Sequence, residues 1–362
     1  MRPVSGAILG RPGPVGPISA MEQRMNPFGS IQARLTLRLT RRWLQLRAKL
    51  KARQLKVSVD RTNAMPSGPL LFSTIRNEAD RLPYFLDYYR KLGIAHFLII
   101  DNGSTDDGPR WLAEQDDVSV WTTTASYKAS RFGVDWLNAL ITRHGMGRWV
   151  LVVDPDEFLV YPFCDTRPLP ALTRWLEAEG RHSFGTFLLD LYGDKPIRAT
   201  HVGRGQDPVA AAPWFDASNY VVERRVPHRN LWVQGGPRMR SFFADKPNKA
   251  PALNKIPLVF WRPGTVFNTG AHDLLPRGLN QVYARRGGSM TSGALLHAKF
   301  IDALPAKVAE EMTRREHYAD SAEYASYSRA GDDICLWTPQ STRYRDWRQL
   351  LDMGLITRGA WF

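Results

Sequence analysis

Three carboxylates crowd the segment WVLVVDPDEFLVYP, residues 149–162: Asp154, Asp156 and Glu157, with Pro155 between the first two. The flanking residues are apolar and β-prone, so this charge sits at the mouth of a buried strand rather than on a solvated turn. Carboxylates held there by rigid neighbours suit a hard divalent cation, Mn2+ or Mg2+, which prefers oxygen ligands. The spacing of two lets Asp154 and Asp156 flank one ion while Pro155 stiffens the turn. An ion with so few protein ligands completes its shell with water and substrate phosphates, which points to a diphosphate-bearing substrate. Glu157 has a structural alternative, pairing with an arginine.

The surrounding pattern supplies the elements that would position these groups. Apolar runs at 70–75, 96–100, 118–122 and 149–153 predict strands, and the periodic stretches 80–92, 108–115 and 132–144 predict the helices between them. Alternation at this spacing implies an α/β fold with a mostly parallel central sheet flanked by helices. Ligands in such sheets bind beyond the carboxyl ends of the strands, where Asp101 and Asp154 fall. Asp101, in DNGSTDDG, is placed to accept hydrogen bonds from a nucleotide base or ribose. Further on, a helix at 168–179, strands at 183–191 and 294–301, and a helix at 304–317 are predicted, while 193–265 shows only short apolar runs among Pro, Gly and Arg.

Composition excludes several classes. Hydrophobic residues make up 43% and charged residues 23% of the 362, which is globular rather than disordered. No uninterrupted apolar run is long enough to span a membrane. The opening lacks a signal-peptide core, and the two cysteines, Cys164 and Cys335, read as reduced thiols, so a cytoplasmic protein is expected. The net charge of +14 is uneven: residues 1–65 hold 13 Lys and Arg against 2 Asp and Glu, the other 297 hold 36 against 33. The body is near neutral, so no nucleic-acid partner is expected. Residues 1–30 read as disordered, with Met21 and Met25 as alternative starts. In 31–57, Ile31, Leu35, Leu39, Trp43, Leu46 and Leu50 form one helical stripe flanked by arginines, although Leu37 and Leu44 lie off it. Such a helix suits either the inner face of an anionic membrane or packing on the domain. The expected division is a basic extension over 1–65, a catalytic domain over 66–320 and a C-terminal extension over 321–362.

FSTIRNEADRLPYFLDYYRKLGIAHFLIIDNGSTDDG, RFGVDWLNALI and WVLVVDPDEFLVYP, in that order, resemble the motifs of a family 2-type glycosyltransferase of the GT-A fold. The resemblance is close over about 70–165 and looser to about 317. It implies a nucleotide-sugar donor, a divalent metal, and transfer with inversion to an acceptor hydroxyl, on a glycan or a lipid-linked saccharide of the cell envelope. Carried over by position, Thr74, Arg76 and Glu78 would line the nucleotide pocket, Asp101 would contact base or ribose, and Arg131 would approach the diphosphate. Asp154 and Asp156 would form the metal-binding Asp-x-Asp. Similar families add a metal or phosphate contact from a late histidine, for which His297 and His272 are candidates, His297 preferred.

An inverting transfer needs a base, typically a carboxylate, to deprotonate the acceptor. The familiar Glu-Asp acceptor motif is missing, and Asp190 and Asp194, near Tyr192 at the end of strand 183–191, are the candidates. The Q-x-x-R-W signature of processive synthases is missing as well, which favours transfer of a single sugar. Trp214, Trp232 and Trp261 offer stacking faces for an acceptor, or simply core. Two other readings compete: a metal-dependent nucleotidyltransferase or phosphohydrolase, and a non-catalytic membrane- or nucleic-acid-binding protein. The first lacks a phosphate-binding loop, and the second leaves the strand-end carboxylates unexplained.

Overall fold

The computed structural model describes residues 27–282, 290–316, 318–331 and 333–362. Of the disorder expected over 1–30, residues 1–26, with the alternative starts at Met21 and Met25, lie outside the described residues, while 27–30 open helix α1 instead.

Helix α1 (Pro27–Lys51) leads into strand β1 (Lys56–Val59). There follow β2 (Leu70–Ile75), α2 (Leu82–Leu92), β3 (His96–Asp101), α3 (Gly108–Ala113), β4 (Val118–Thr122), α4 (Val134–His144) and β5 (Trp149–Val152). Next come β6 (Glu157–Val160), α5 (Leu169–Ala178) and β7 (Ser183–Tyr192). The stretch without a clear pattern holds α6 (Pro208–Ala211), β8 (Trp214–Phe215), a hairpin of β9 (Tyr220–Arg225) and β10 (Asn230–Gly235), α7 (Gly236–Phe242) and β11 (Asn254–Phe260). A small pair, β12 (Val266–Phe267) and β13 (Leu274–Leu275), precedes β14 (Gly293–Phe300), α8 (Leu304–Arg314), α9 (Tyr318–Ala330), β15 (Thr342–Arg343) and α10 (Trp347–Asp352).

The main sheet runs β1-β4-β3-β2-β5-β11-β7-β14-β6, with β8 and β15 branching from β7. β4, β3, β2 and β5 are mutually parallel. β11 enters antiparallel between β5 and β7. β14 is parallel to β7, and β6 closes the far edge antiparallel to β14. Because β4, β3, β2, β5, β7 and β14 point the same way, the sheet is largely parallel, as the strand–helix alternation implied. Alternate residues of the strands bury opposite faces. Leu70 and Phe72 join Trp136, Leu140 and Ile141 of α4 on one side. Leu71 and Ile75 join Phe85 and Tyr89 of α2 and Leu172 of α5 on the other.

β11 was not legible in the sequence because Lys255 and Pro257 interrupt its apolar run. The pairing with β7 shifts register between Lys255 and Leu258, a bulge that accommodates a proline inside a sheet. The C-terminal segment is also more integrated than an extension would be. Trp347, Leu350, Ile356 and Trp361 belong to the main core, and the Trp361 indole donates to the Pro162 carbonyl at 2.8 Å. Trp261 is fully buried core. Trp214 meets Trp337 edge-on, and the Arg225 guanidinium covers Trp232, so neither ring is bare.

The helix predicted over 31–57 gives way to β1 at Lys56, which pairs with β4. α1 docks on α4 through Arg47, whose Nη2 lies 2.8 Å from Asp135 Oδ2. Arg131 Nη1 approaches the other oxygen of the same carboxylate at 3.3 Å. Asp135 is fully buried, so its charge depends on these two partners. Replacing it leaves two guanidiniums facing each other with no counter-ion. Asp135→Ala should destabilise the protein by about 3 kcal/mol, read by denaturant unfolding, and speed proteolysis within α1. An unchanged midpoint would mean that α1 is held by its apolar contacts alone.

Candidate functional site

The site is built where the chain leaves β5. Only four residues separate β5 from β6, yet the two strands lie on opposite sides of β11, β7 and β14. Residues 153–156 therefore cross the carboxyl-end edge of the sheet, above the ends of the strands between. This crossing brings the carboxylates to two neighbours on the strands between. Glu157 pairs with Lys255 of β11, and Lys255 Nζ also lies 3.7 Å from Asp154 Oδ2. Asp156 faces His297 of β14, and its backbone carbonyl accepts from the Ala298 amide at 2.8 Å. Burial pushes the Glu157 carboxyl upward while Lys255 pulls against it. Glu157 is thus structural, as its alternative reading held, but its partner is a lysine and not an arginine.

His297 is held between two carboxylates. In register it stands opposite Glu157 on one side and Asp190 on the other. Its Nδ1 lies 2.6 Å from Asp190 Oδ1, and its Nε2 lies 3.5 Å from Asp156 Oδ2. A carboxylate can only accept here, so Nδ1 carries the proton and Nε2 is turned toward Asp156. The other oxygen of Asp190 accepts from Arg238 Nε at 2.7 Å. Arg238 in turn approaches Glu323, which Lys299 Nζ meets at 2.9 Å. The chain of alternating charge runs Asp156, His297, Asp190, Arg238, Glu323, Lys299. Burial opposes the charge on His297, but Asp156 and Asp190 outweigh it and raise its pKa above the ordinary histidine value.

Asp154 and Asp156 open into a cavity of about 180 Å3, lined also by Thr74, Arg76, Glu78, Arg81, Asn102, Tyr127, His297 and one face of α8. From α8 come Lys307, Glu310, Glu311 and Arg314. Glu78 binds Arg81 at 2.9 Å and also pairs with Lys307. Arg76 donates to Glu310 at 2.6 Å and to the Asn102 and Gly103 carbonyls at 2.7 and 2.6 Å. Gly103 has φ +71°, and a Cβ there would stand 3.2 Å from Arg76 Nη1, so glycine keeps the guanidinium's place open. The Arg81 Nε and Thr74 Oγ1 are buried without a hydrogen-bond partner. Polar atoms left so on a cavity wall are suited to a polar ligand.

Thr74, Arg76, Glu78, Asp154, Asp156 and His297 are therefore brought together at one cavity. The other expected residues lie elsewhere. Asp101 turns back on its own loop, accepting from the Ser104 amide at 3.1 Å and hydroxyl at 2.5 Å, and its neighbour Asn102 takes the place on the cavity wall. Arg131 is committed to Asp135 and to the Asn268 carbonyl. His272 bonds the Asn254 carbonyl through Nδ1 at 2.6 Å and does not line the cavity. Asp190 has both oxygens engaged beneath His297, so it orients that ring and cannot reach an acceptor as a base. Asp194 is exposed in the bend after β7 and is not part of the wall. Arg81, Lys299, Lys307 and Arg314 are cavity residues that the sequence reading did not single out.

Among the described residues no group of three or more His, Cys, Asp or Glu side chains is gathered closely enough to hold a metal ion. Asp154, Asp156 and His297 line one cavity without forming such a group, so an ion there would have to draw most of its shell from water and substrate. That arrangement fits an octahedral ion sharing its shell with water and phosphate, and it does not fit a closed structural cage.

No protein-family model matches the chain, and no curated protein matches it. Among solved structures it is similar to the mannosyltransferase PcManGT from Pyrobaculum calidifontis, in complex with GDP-Man and Mn2+. That likeness covers 86% of this chain and 78% of the other at 15% identity, with a TM-score of 0.32, and so carries no argument about activity.

Burial works against the charges on Asp156, Asp190 and Glu323, but neighbouring cations hold all three carboxyls below their ordinary values. A depressed carboxyl contributes stability that is complete above the unfolded pKa, about 4, and is lost as pH falls through the lower folded value. The melting temperature should therefore fall below about pH 4.5. Asp190→Asn, which leaves Arg238 with Glu323 as its one remaining carboxylate partner, should lower it already at pH 6 and flatten the acid limb, a difference that calorimetry at successive pH values would record.

Proposed function

We propose that the chain is a GT-A-type glycosyltransferase that moves one sugar from a nucleotide-sugar donor to an acceptor hydroxyl, using Mn2+ or Mg2+. The observation that carries this reading is the strand-end pair Asp154 and Asp156, set with an oriented His297 at a cavity rimmed by Arg81, Lys307 and Arg314. When bound, the ion would neutralise the diphosphate as it leaves. Asp154, Asp156 and His297 Nε2 are the groups that would hold it. Asp190 keeps the proton on Nδ1, so an ion would take Nε2 by displacing the proton that Asp156 favours there. Thr74, Arg76 and Asn102 line the wall where the nucleotide would lie, and α8 covers the charged end of the cavity against water. The transfer is read as inverting and non-processive, onto a glycan or lipid-linked acceptor.

Asp154 is mostly exposed, so Asp154→Asn should fold normally. Asp154→Asn and Asp156→Ala should each lower turnover on the order of a thousandfold, because metal and electrostatic stabilisation of a leaving diphosphate is worth several kcal/mol. The donor is found first by a thermal-shift screen of UDP-, GDP-, dTDP- and CMP-sugars with and without Mn2+. Turnover is then followed by the nucleotide released. A nucleoside diphosphate supports sugar transfer, whereas pyrophosphate would identify a nucleotidyltransferase. Near-normal turnover in both variants would sink the metal assignment.

A further inference from the structure

Helix α1 is fixed to the body along one side and bare along the other. Leu44 packs with Val266 and Leu275, with Leu37 alongside, and Arg47 is tied to Asp135. These are the leucines that lay off the sequence stripe. The stripe itself faces outward: Leu35, Leu39, Trp43, Leu46 and Leu50 are each at least 51% exposed. At 1.5 Å per residue it runs about 22 Å along the helix. Arg34, Arg38, Arg42, Lys49 and Arg53 are exposed along its border. From residue 23 to residue 59 there is no Asp or Glu to balance them.

A second exposed segment carries groups of the same kind. The turn of the β9–β10 hairpin carries Val226, 52% exposed, and Arg229. Its Pro227 carbonyl accepts from Arg277 Nη1 at 2.9 Å. Arg277 is destabilised as a cation first by burial and then by the charges of Arg229 and Arg34. Like charges gathered this way cost energy in the free protein and are relieved by an anionic surface.

We propose that this face docks on an anionic phospholipid surface, with the α1 stripe in the headgroup boundary and the bordering cations on the lipid phosphates. The occupant follows from the order of the groups. A nucleic-acid backbone would engage the cations and leave five large apolar side chains in water, whereas a bilayer accepts both. Arg47 matters because it fixes the rotation of the helix, so that the stripe cannot turn inward. The inference does not rest on the reaction assigned to the cavity.

The test uses the full chain and two variants of exposed residues, Leu39→Gln/Trp43→Gln/Leu46→Gln and Arg38→Gln/Arg42→Gln/Lys49→Gln. Co-sedimentation is measured with phosphatidylcholine vesicles containing roughly one-third phosphatidylglycerol, and with phosphatidylcholine alone. The unaltered protein should bind the anionic vesicles selectively and release in high salt. The apolar variant should bind at least tenfold more weakly at an unchanged melting temperature. The charge variant should lose roughly fivefold per engaged cation, on the order of a hundredfold in all. Absent binding, or equal binding by the apolar variant, would overturn the proposal. So would a dimer that the apolar variant dissociates in the absence of vesicle binding, which would assign the stripe to a second copy. Tighter binding to duplex DNA, indifferent to the apolar changes, would assign the face to nucleic acid instead.

Discussion

The structure depends on how negative charge is stored at the carboxyl edge of the sheet. Asp154, Asp156, Glu157 and Asp190 converge there within the span of three strands, and an unpaired carboxylate at such depth costs several kcal/mol. Their compensation comes from several later parts of the chain, partly shared: Lys255 of β11 serves Glu157 and Asp154, His297 of β14 serves Asp156 and Asp190, and Arg238 of α7 serves Asp190. An interior strand, β11, thus carries a lysine, and the short helix α7 places its arginine on Asp190.

The same arrangement divides labour among the carboxylates. Those fully enclosed, Glu157 and Asp190, hold partners in place, while those nearer the cavity, Asp154 and Asp156, keep oxygen atoms available for a ligand. Exposure decides which is which. Asp154 is 60% exposed and Asp190 1%, although both sit at strand ends and both read as reactive groups in the sequence.

That contrast marks the limit of what the sequence allowed. The parallel strands, and the position of Asp154 and Asp156 beyond the end of one, were legible because apolar period is a local property. So was the placement of His297 in an apolar strand, which the structure brings to the same cavity. The role of Asp190 was not, because the atoms that fill its two oxygens lie 48 and 107 residues away. Asp101 and Asn102 exchanged places, since a loop's own hydrogen bonds decide which of two adjacent side chains faces a cavity. α8 offered a signal in Lys307, Glu310, Glu311 and Arg314, which recur at helical spacing, but the pattern is the same as that of a solvated face. In α1 the stripe was read correctly, and the leucines that spoiled it proved to be its attachment.

The interior position of β11 also bears on how the chain is made. β5 and β7 are both complete by residue 192, yet the strand that joins them begins only at residue 254. Until the intervening stretch is made, β5 and β7 have open edges, β6 has no partner strand, and Glu157 has no lysine. Open edges and unmatched buried charge are the conditions under which partly made chains pair wrongly or aggregate. The first half has then only the paired strands β1 to β5 and their helices, and the rest of the sheet waits for β11 and, later still, β14.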